Sequence, residues 1–201
     1  SDTRTVETDT SGQLLVDRLN AAGHQLAQRV LLKDDLYRIR AQVAGWIAED
    51  AVQVVIITGG TGFTGRDSTP EAVGCLLDKQ VDGFGELFRQ ISVADIGTST
   101  IQSRALAGLS NGTLVCCLPG STNACRTAWD GILAEQLDAD TGGAAHLGAT
   151  ARSQLHGVDD GTGGDVAQRQ VVAGLDVGVR PLLDAIALRQ SLRRDDVALL
   201  A

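Results

Sequence analysis

Apolar positions along the first two-thirds of this chain follow two alternating periods. Leu14, Leu15 and Leu19 share one face of a 3.6-residue repeat, which predicts a helix capped by Thr10 or Ser11, running to about Ala22 and stopped by Gly23. A strand is predicted near residues 26–32. Asp34 or Asp35 then opens a second helix, with Leu36, Ile39, Val43, Trp46 and Ile47 at helical spacing. Residues 52–57 form a near-continuous β-branched apolar run, the pattern of a parallel strand buried on both faces. After a glycine-rich loop, Thr69 as N-cap and Pro70 at the first helical position open a third helix. Short helices are predicted over 83–92 and 98–106 and an apolar strand over 113–118. Pro119-Gly120-Ser121 then turns into a last helix ending near Leu137.

Strand and helix alternate, which predicts a three-layer α/β/α fold with a mostly parallel sheet. Such a sheet usually opens on a strand, whereas this chain opens on the loop-like Ser1-Asp2-Thr3-Arg4 and contains no methionine. The expectation is a processed or truncated piece whose first strand is missing upstream.

The pattern divides the chain into an α/β domain over 1–138 and a divergent segment over 139–201. From Asp138 onward there is no Lys, aromatic residue or Cys, and residues 157–164 are glycine-rich. The segment reads as a poorly ordered tail, as a small helical element using an amphipathic stretch over 182–200, or as the product of a shifted reading frame. The first is preferred.

Composition narrows the function. The chain has 201 residues, 43% of them hydrophobic but only 3% aromatic, so its core must be mainly aliphatic. A net charge of -8 argues against nucleic acid, which needs clustered Lys and Arg. It does not exclude a small phosphorylated ligand held by backbone N–H groups. No apolar run reaches the ~18 residues of a membrane span, and no signal peptide is expected. Cys75, Cys116, Cys117 and Cys125 lack metal or redox spacing, and His24, His146 and His156 are scattered. The cytoplasm is the expected compartment, and no Ser, Cys or His set forms a nucleophile–base pair.

The candidate chemistry lies at strand ends. Thr58-Gly59-Gly60-Thr61-Gly62 follows the buried strand, and its glycines allow positive φ and a nest of N–H groups facing an anion. It matches neither the Walker loop nor the dinucleotide fingerprint, and taken alone it is weak evidence, with a plain turn as the alternative. Asp67 beside such a nest suggests Mg²⁺, or it caps the next helix. Asp34 and Asp35 lie at another strand end, where an acidic pair also suits a helix N-terminus. Pro119, Gly120 and Ser121 follow the last strand, and Arg4, near the first residues, can meet a phosphate. Their convergence on one sheet edge favours a ligand crevice.

These residues also resemble a known family. Residues 57–62, Arg66-Asp67, Thr69-Pro70-Glu71 and Gly83-Phe84-Gly85-Glu86 look like the pterin-binding family of molybdenum-cofactor biosynthesis. So do Ser1-Asp2-Thr3-Arg4, Asp9-Thr10-Ser11-Gly12, Gln102-Ser103-Arg104-Ala105 and Leu118-Pro119-Gly120-Ser121-Thr122. The resemblance covers residues 1 to about 138, and its motifs are closer to the B proteins than to the dedicated adenylyltransferases. It implies binding of molybdopterin and, in active members, its adenylylation by MgATP with release of pyrophosphate. It also implies a homo-trimer or hexamer, with other proteins of the pathway as partners. By resemblance Asp34 and Asp67 are the catalytic, Mg²⁺-holding pair. Ser1, Asp2, Thr58, Gly59, Gly60, Thr61, Gly62, Ser92, Pro119, Gly120 and Ser121 would contact pterin or nucleotide. Two departures stand out: Asp82 where the family often has Pro, and Cys117 where active adenylyltransferases carry Asn. The second favours a non-catalytic binding or scaffold role as the alternative.

Overall fold

The computed structural model describes residues 5, 7–138, 171–172 and 196–200. Its elements in chain order are α1 (Thr10–Ala21), β1 (Leu26–Val30), α2 (Leu36–Ile47), β2 (Val52–Thr58), α3 (Thr69–Gly74), β3 (Lys79–Gln80) and α4 (Asp82–Ile96). A 3₁₀ turn (Gly97–Gln102), β4 (Leu106–Ser110), β5 (Thr113–Leu118) and α5 (Thr122–Ala128) follow. A π-helical turn (Trp129–Leu133), α6 (Ala134–Gln136), β6 (Val171–Val172) and β7 (Asp196–Leu200) complete the described residues.

The strands form one sheet in the order β1-β7-β2-β5-β4-β3, with β6 also pairing β2. β1, β7, β2 and β5 run parallel, and β5-β4-β3 is antiparallel. Period-two alternation decides which side chains go where. Val54, Ile56, Leu114, Cys116 and Leu118 face one layer, formed by α1, α4, α5 and the π-helical turn. Val55, Ile57, Val115 and Cys117 face the other, under α2 and α3. Both faces of the central strands are therefore dry, which is why the sequence shows apolar runs there rather than alternation.

The fold class expected from the sequence holds, and several local assignments shift. Asp9, not Thr10 or Ser11, caps α1, its carboxylate accepting from Gly12 N at 3.0 Å. Ser68, not Thr69, precedes α3. The helix predicted over 83–92 extends over Asp82–Ile96.

The helix predicted over 98–106 is a 3₁₀ turn that hands over to β4. β4 and β5 make a two-residue hairpin through Asn111 (φ 49°) and Gly112 (φ 75°), with Ser110 opposite Thr113. Asn-Gly is the preferred pair for that turn.

Within the segment over 139–201, the helical reading of 182–200 is corrected at one stretch. Asp196–Leu200 is not the end of an amphipathic helix but a strand in the middle of the sheet, with Ala198, Leu199 and Leu200 buried. The rest of the stretch assigned to that helix, 182–195, lies outside the described residues.

Candidate functional site

A cleft of about 460 Å³ opens at the carboxyl ends of the parallel strands. Leu32 and Asp34 beyond β1, residues 58–62 beyond β2, Gly120 and Ser121 beyond β5, and Leu200 at the end of β7 all line it, with Asp67 and Thr69 closing one side. Four strand ends thus converge where an open α/β sheet builds its ligand crevice.

The loop after β2 has the geometry its glycines allow. Gly59 and Gly60 take φ of 104° and 62°, and Gly59 N donates to Leu118 O at 3.0 Å, joining this loop to the end of β5. A Cβ on Gly60 would lie 2.3 Å from Thr69 Oγ1, and one on Gly120 would lie 3.0 Å from Gly59 Cα. Both positions therefore need the smallest residue for packing, and Gly60 also for its backbone. Thr58 Oγ1 donates to Pro119 O at 3.1 Å, and Ser11 Oγ donates to Gly120 O at 2.9 Å. Backbone amide donors and two loops are thereby held against each other at one edge.

The structure separates the paired aspartates. Asp35 caps α2, its Oδ1 accepting from Tyr37 N at 3.0 Å and Arg38 N at 2.9 Å, while Asp34 lines the cleft. Helix capping therefore claims one carboxylate and leaves its neighbour facing the ligand space. Asp67 does not cap α3. Its Oδ2 accepts from Thr64 N at 2.9 Å and Thr64 Oγ1 at 2.6 Å, closing the turn within the loop. The Thr64 hydroxyl is the main cause of an Asp67 pKa below the ordinary 3.8, helped by the Thr64 and Gly62 backbone and by Arg104.

Arg104, part of the Gln102–Ala105 motif, has a role that sequence alone does not reveal. Its guanidinium donates to three loop carbonyls: Thr61 O at 3.1 Å, Gly62 O, and Asp67 O at 2.9 Å. It also pairs with Glu71 and lies over the Phe63 ring, 5.3 Å from the centroid. One planar fork thus fastens both ends of the loop. The helix expected over 98–106 hid this role, and its targets lie about 40 residues away in sequence.

The sequence-predicted residues divide as follows. Asp34, Asp67, Thr58, Gly59, Gly60, Thr61, Gly62, Gly120 and Ser121 line one cleft, and Pro119 joins them through its carbonyl. Ser1 and Asp2, like Arg4, lie outside the described residues. Ser92 is not brought to the cleft: it is buried in α4, and its hydroxyl donates to Phe88 O at 2.7 Å. Cys117 is fully buried in β5 beneath α2 and α3, its thiol pushed far up by desolvation.

Among the described residues no group of three or more His, Cys, Asp or Glu side chains could hold a metal by itself. The cleft's hard donors are the carboxylates of Asp34 and Asp67. That set suits Mg²⁺ arriving with a phosphate ligand, which supplies the remaining oxygens, rather than a closed protein cage.

The fold and the cleft define a class: an open α/β domain with a glycine-lined, carboxylate-bearing crevice suited to phosphorylated ligands. Comparison with known proteins gives the family. Residues 2–139 match the family described as "Probable molybdopterin binding domain". Molybdenum cofactor biosynthesis protein B of Escherichia coli strain K12 is 56% identical over 141 residues, 70% of this chain and 83% of that protein. The protein of the same name from Bacillus cereus is 50% identical over 139 residues, covering 68% and 82%. A crystal structure of a molybdenum cofactor biosynthesis protein B superposes with TM-score 0.70 and 43% identity over 75% of this chain and 91% of that one. The tungsten cofactor synthesizing protein MoaB of Pyrococcus furiosus gives 0.57 and 33% over 75% and 89%. This chain belongs to the molybdopterin-binding domain family of molybdenum-cofactor biosynthesis.

Proposed function

We propose that the cleft binds molybdopterin together with MgATP and that the chain adenylylates the pterin. A terminal phosphate oxygen of the pterin attacks the α-phosphorus of ATP. The new P–O bond forms as the α–β bridging bond breaks, and pyrophosphate leaves with the electron pair. The observation carrying this reading is the placement of Asp34, Asp67 and the residue 58–62 backbone around one space at the sheet's carboxyl edge. The loop would hold phosphate oxygens, and the turn at Gly120 and Ser121 would close the opposite side. Asp34 and Asp67 would hold Mg²⁺, which when bound neutralises phosphate charge. Catalysis of this type is positioning and electrostatics, with no covalent step on the protein.

The test is pyrophosphate release by the full chain given molybdopterin, ATP and Mg²⁺. Turnover is expected, and Asp67→Ala should abolish it while leaving the thermal transition in place. Unchanged activity in that variant would remove Asp67 from the mechanism.

A second reading, a non-catalytic molybdopterin-binding or scaffold protein, is favoured by Cys117. A buried thiol cannot supply the paired donor and acceptor of an amide. Pterin binding without pyrophosphate release would select it.

We further propose a cytosolic homo-trimer or hexamer, open to other proteins of the pathway. Four free cysteines support a reducing compartment, and no helix among the described residues is long and apolar enough to cross a membrane. Val93, Ile96 and Ile101, exposed at 51, 50 and 78%, support self-association.

A further inference from the structure

Nine polar or charged residues are buried among the described residues. A buried hydroxyl or carboxylate without a partner is costly, so each is expected to be bonded. Seven are, each through its side chain to another protein group. Ser110 Oγ, for example, donates to Leu76 O at 2.6 Å, and Thr113 Oγ1 donates to Val52 O at 2.8 Å. The two exceptions are Thr61 and Thr69, whose hydroxyls have no hydrogen-bond partner among the described residues. Both residues line the cleft. Among the described residues, Gln53 Oε1 is the one side-chain polar atom that is sealed from solvent and unpartnered. The Thr61 and Thr69 oxygens are therefore not sealed. What exposure these two residues keep, 7 and 2%, includes their hydroxyls, and it opens onto the ligand space.

Thr69 is held in place without its hydroxyl, because its N–H donates to Gly60 O at 3.0 Å. A Cβ on Gly60 would lie 2.3 Å from Thr69 Oγ1 and 3.4 Å from Asp34 Oδ1. The bare face of Gly60 thus leaves room between a hydroxyl on one side and a carboxylate on the other. The two oxygens differ in chemistry. A carboxylate holds a cation but offers a phosphoryl oxygen no donor, whereas a hydroxyl donates.

We propose that Thr69 is a phosphate-binding residue of the cleft, its hydroxyl donating to a phosphoryl oxygen of the bound ligand beside Asp34. This assignment rests on the reading of the cleft as a site for phosphorylated ligands. It gives that site a side-chain donor to set beside the backbone amides of residues 58–62. The bond is charge-assisted, and no bond within the protein is broken to make it. Thr58 differs, since its hydroxyl is already spent on Pro119 O. Thr61 offers a second hydroxyl of the same kind.

The test uses the full chain with Mg²⁺ and inorganic tripolyphosphate as the probe, its affinity read by isothermal titration calorimetry. Thr69→Val keeps the branched shape and removes the hydroxyl. Affinity should fall by about tenfold, the loss of one hydrogen bond to a charged group. Thr69→Ser keeps the hydroxyl and should bind close to wild type. Thermal unfolding of Thr69→Val, followed by circular dichroism, should occur at or above the wild-type temperature, because no bond within the protein is lost. Full affinity in Thr69→Val, beside a wild type that binds, would overturn the assignment and leave the cleft reading intact. A weaker affinity that comes with a lower unfolding temperature, or that Thr69→Ser shares, would mark the hydroxyl as structural and sink the assignment as well. Failure of the wild type to bind the probe would instead remove the cleft reading, and this assignment with it.

Discussion

Replacing Arg104 by Ala removes the fork that fastens the cleft loop. Three charge-assisted bonds to the carbonyls of Thr61, Gly62 and Asp67 are lost. The side chain is 23% exposed, so each bond contributes about 1 kcal/mol, below the range for fully buried charged bonds. The Glu71 partner is 51% exposed and adds no more than about 0.5 kcal/mol. The contact with Phe63, itself 70% exposed, adds about 0.5 kcal/mol. The sum, about 3–4 kcal/mol, belongs to the loop rather than to the core, because none of these partners except Thr61 is buried. Hydrogen exchange reads it directly. The amides of Gly59, Asp67 and Thr69 each donate at 3.0 Å within or next to the loop and should be protected in the wild type. In Arg104→Ala their protection should fall by two orders of magnitude or more, roughly, since 1.4 kcal/mol is tenfold. The amides of β2 and β5 should change far less. Arg104→Lys should lie between, since an ammonium cannot reach three carbonyls from one plane. Unchanged protection at the loop, or a fall shared equally by the central strands, would refute the clamp.

Gly60→Ala combines a positive φ with a Cβ driven onto Thr69 Oγ1, so denaturant unfolding should show a loss of about 1–3 kcal/mol; wild-type stability would contradict the loop geometry. The folded pKa of Asp67 is depressed, so its contribution to loop order is fully present above about pH 4 and is lost as pH falls through the folded value. An NMR titration of the Thr64 amide should follow that midpoint below 3.8, and a midpoint above it would reverse the assignment. Thiol titration with Ellman's reagent should find Cys75 fast. Cys116, whose burial pushes its pKa to about 12, and the buried Cys117 and Cys125 should react only after denaturant is added; more than one fast thiol would contradict the packing of β5 and α5.

Much of this molecule is legible in its sequence. The β-branched run ending at Thr58, the leucines of α1 and the apolar face of α2 set their own elements, because a strand buried on both faces and an amphipathic helix each leave a local periodic trace. The glycines of the cleft loop and the Asn111-Gly112 hairpin are likewise local, since only certain residues tolerate positive φ. The gathering of site candidates at one edge was legible too, because parallel strands place all their carboxyl ends together.

Tertiary structure decided the rest. Asp34 and Asp35 are equivalent by spacing; the α2 N-terminus takes one and leaves the other in the cleft. By spacing Asp67 could face a metal or cap the next helix; the nearness of Thr64, from which its carboxylate accepts, rules out the cap. Ser92 belongs to the α4 interior. Arg104 reaches carbonyls that no sequence window connects to it. Above all, the apolar segment ending at Leu200 carries no periodicity that distinguishes a strand from a helix end. What made it a strand was the gap between β1 and β2, where unpaired N–H and C=O groups and two apolar faces accept an extended segment from anywhere in the chain. A helix carries its hydrogen bonds within itself, whereas a parallel strand needs partners distant in sequence, so its place is known only once the sheet is assembled.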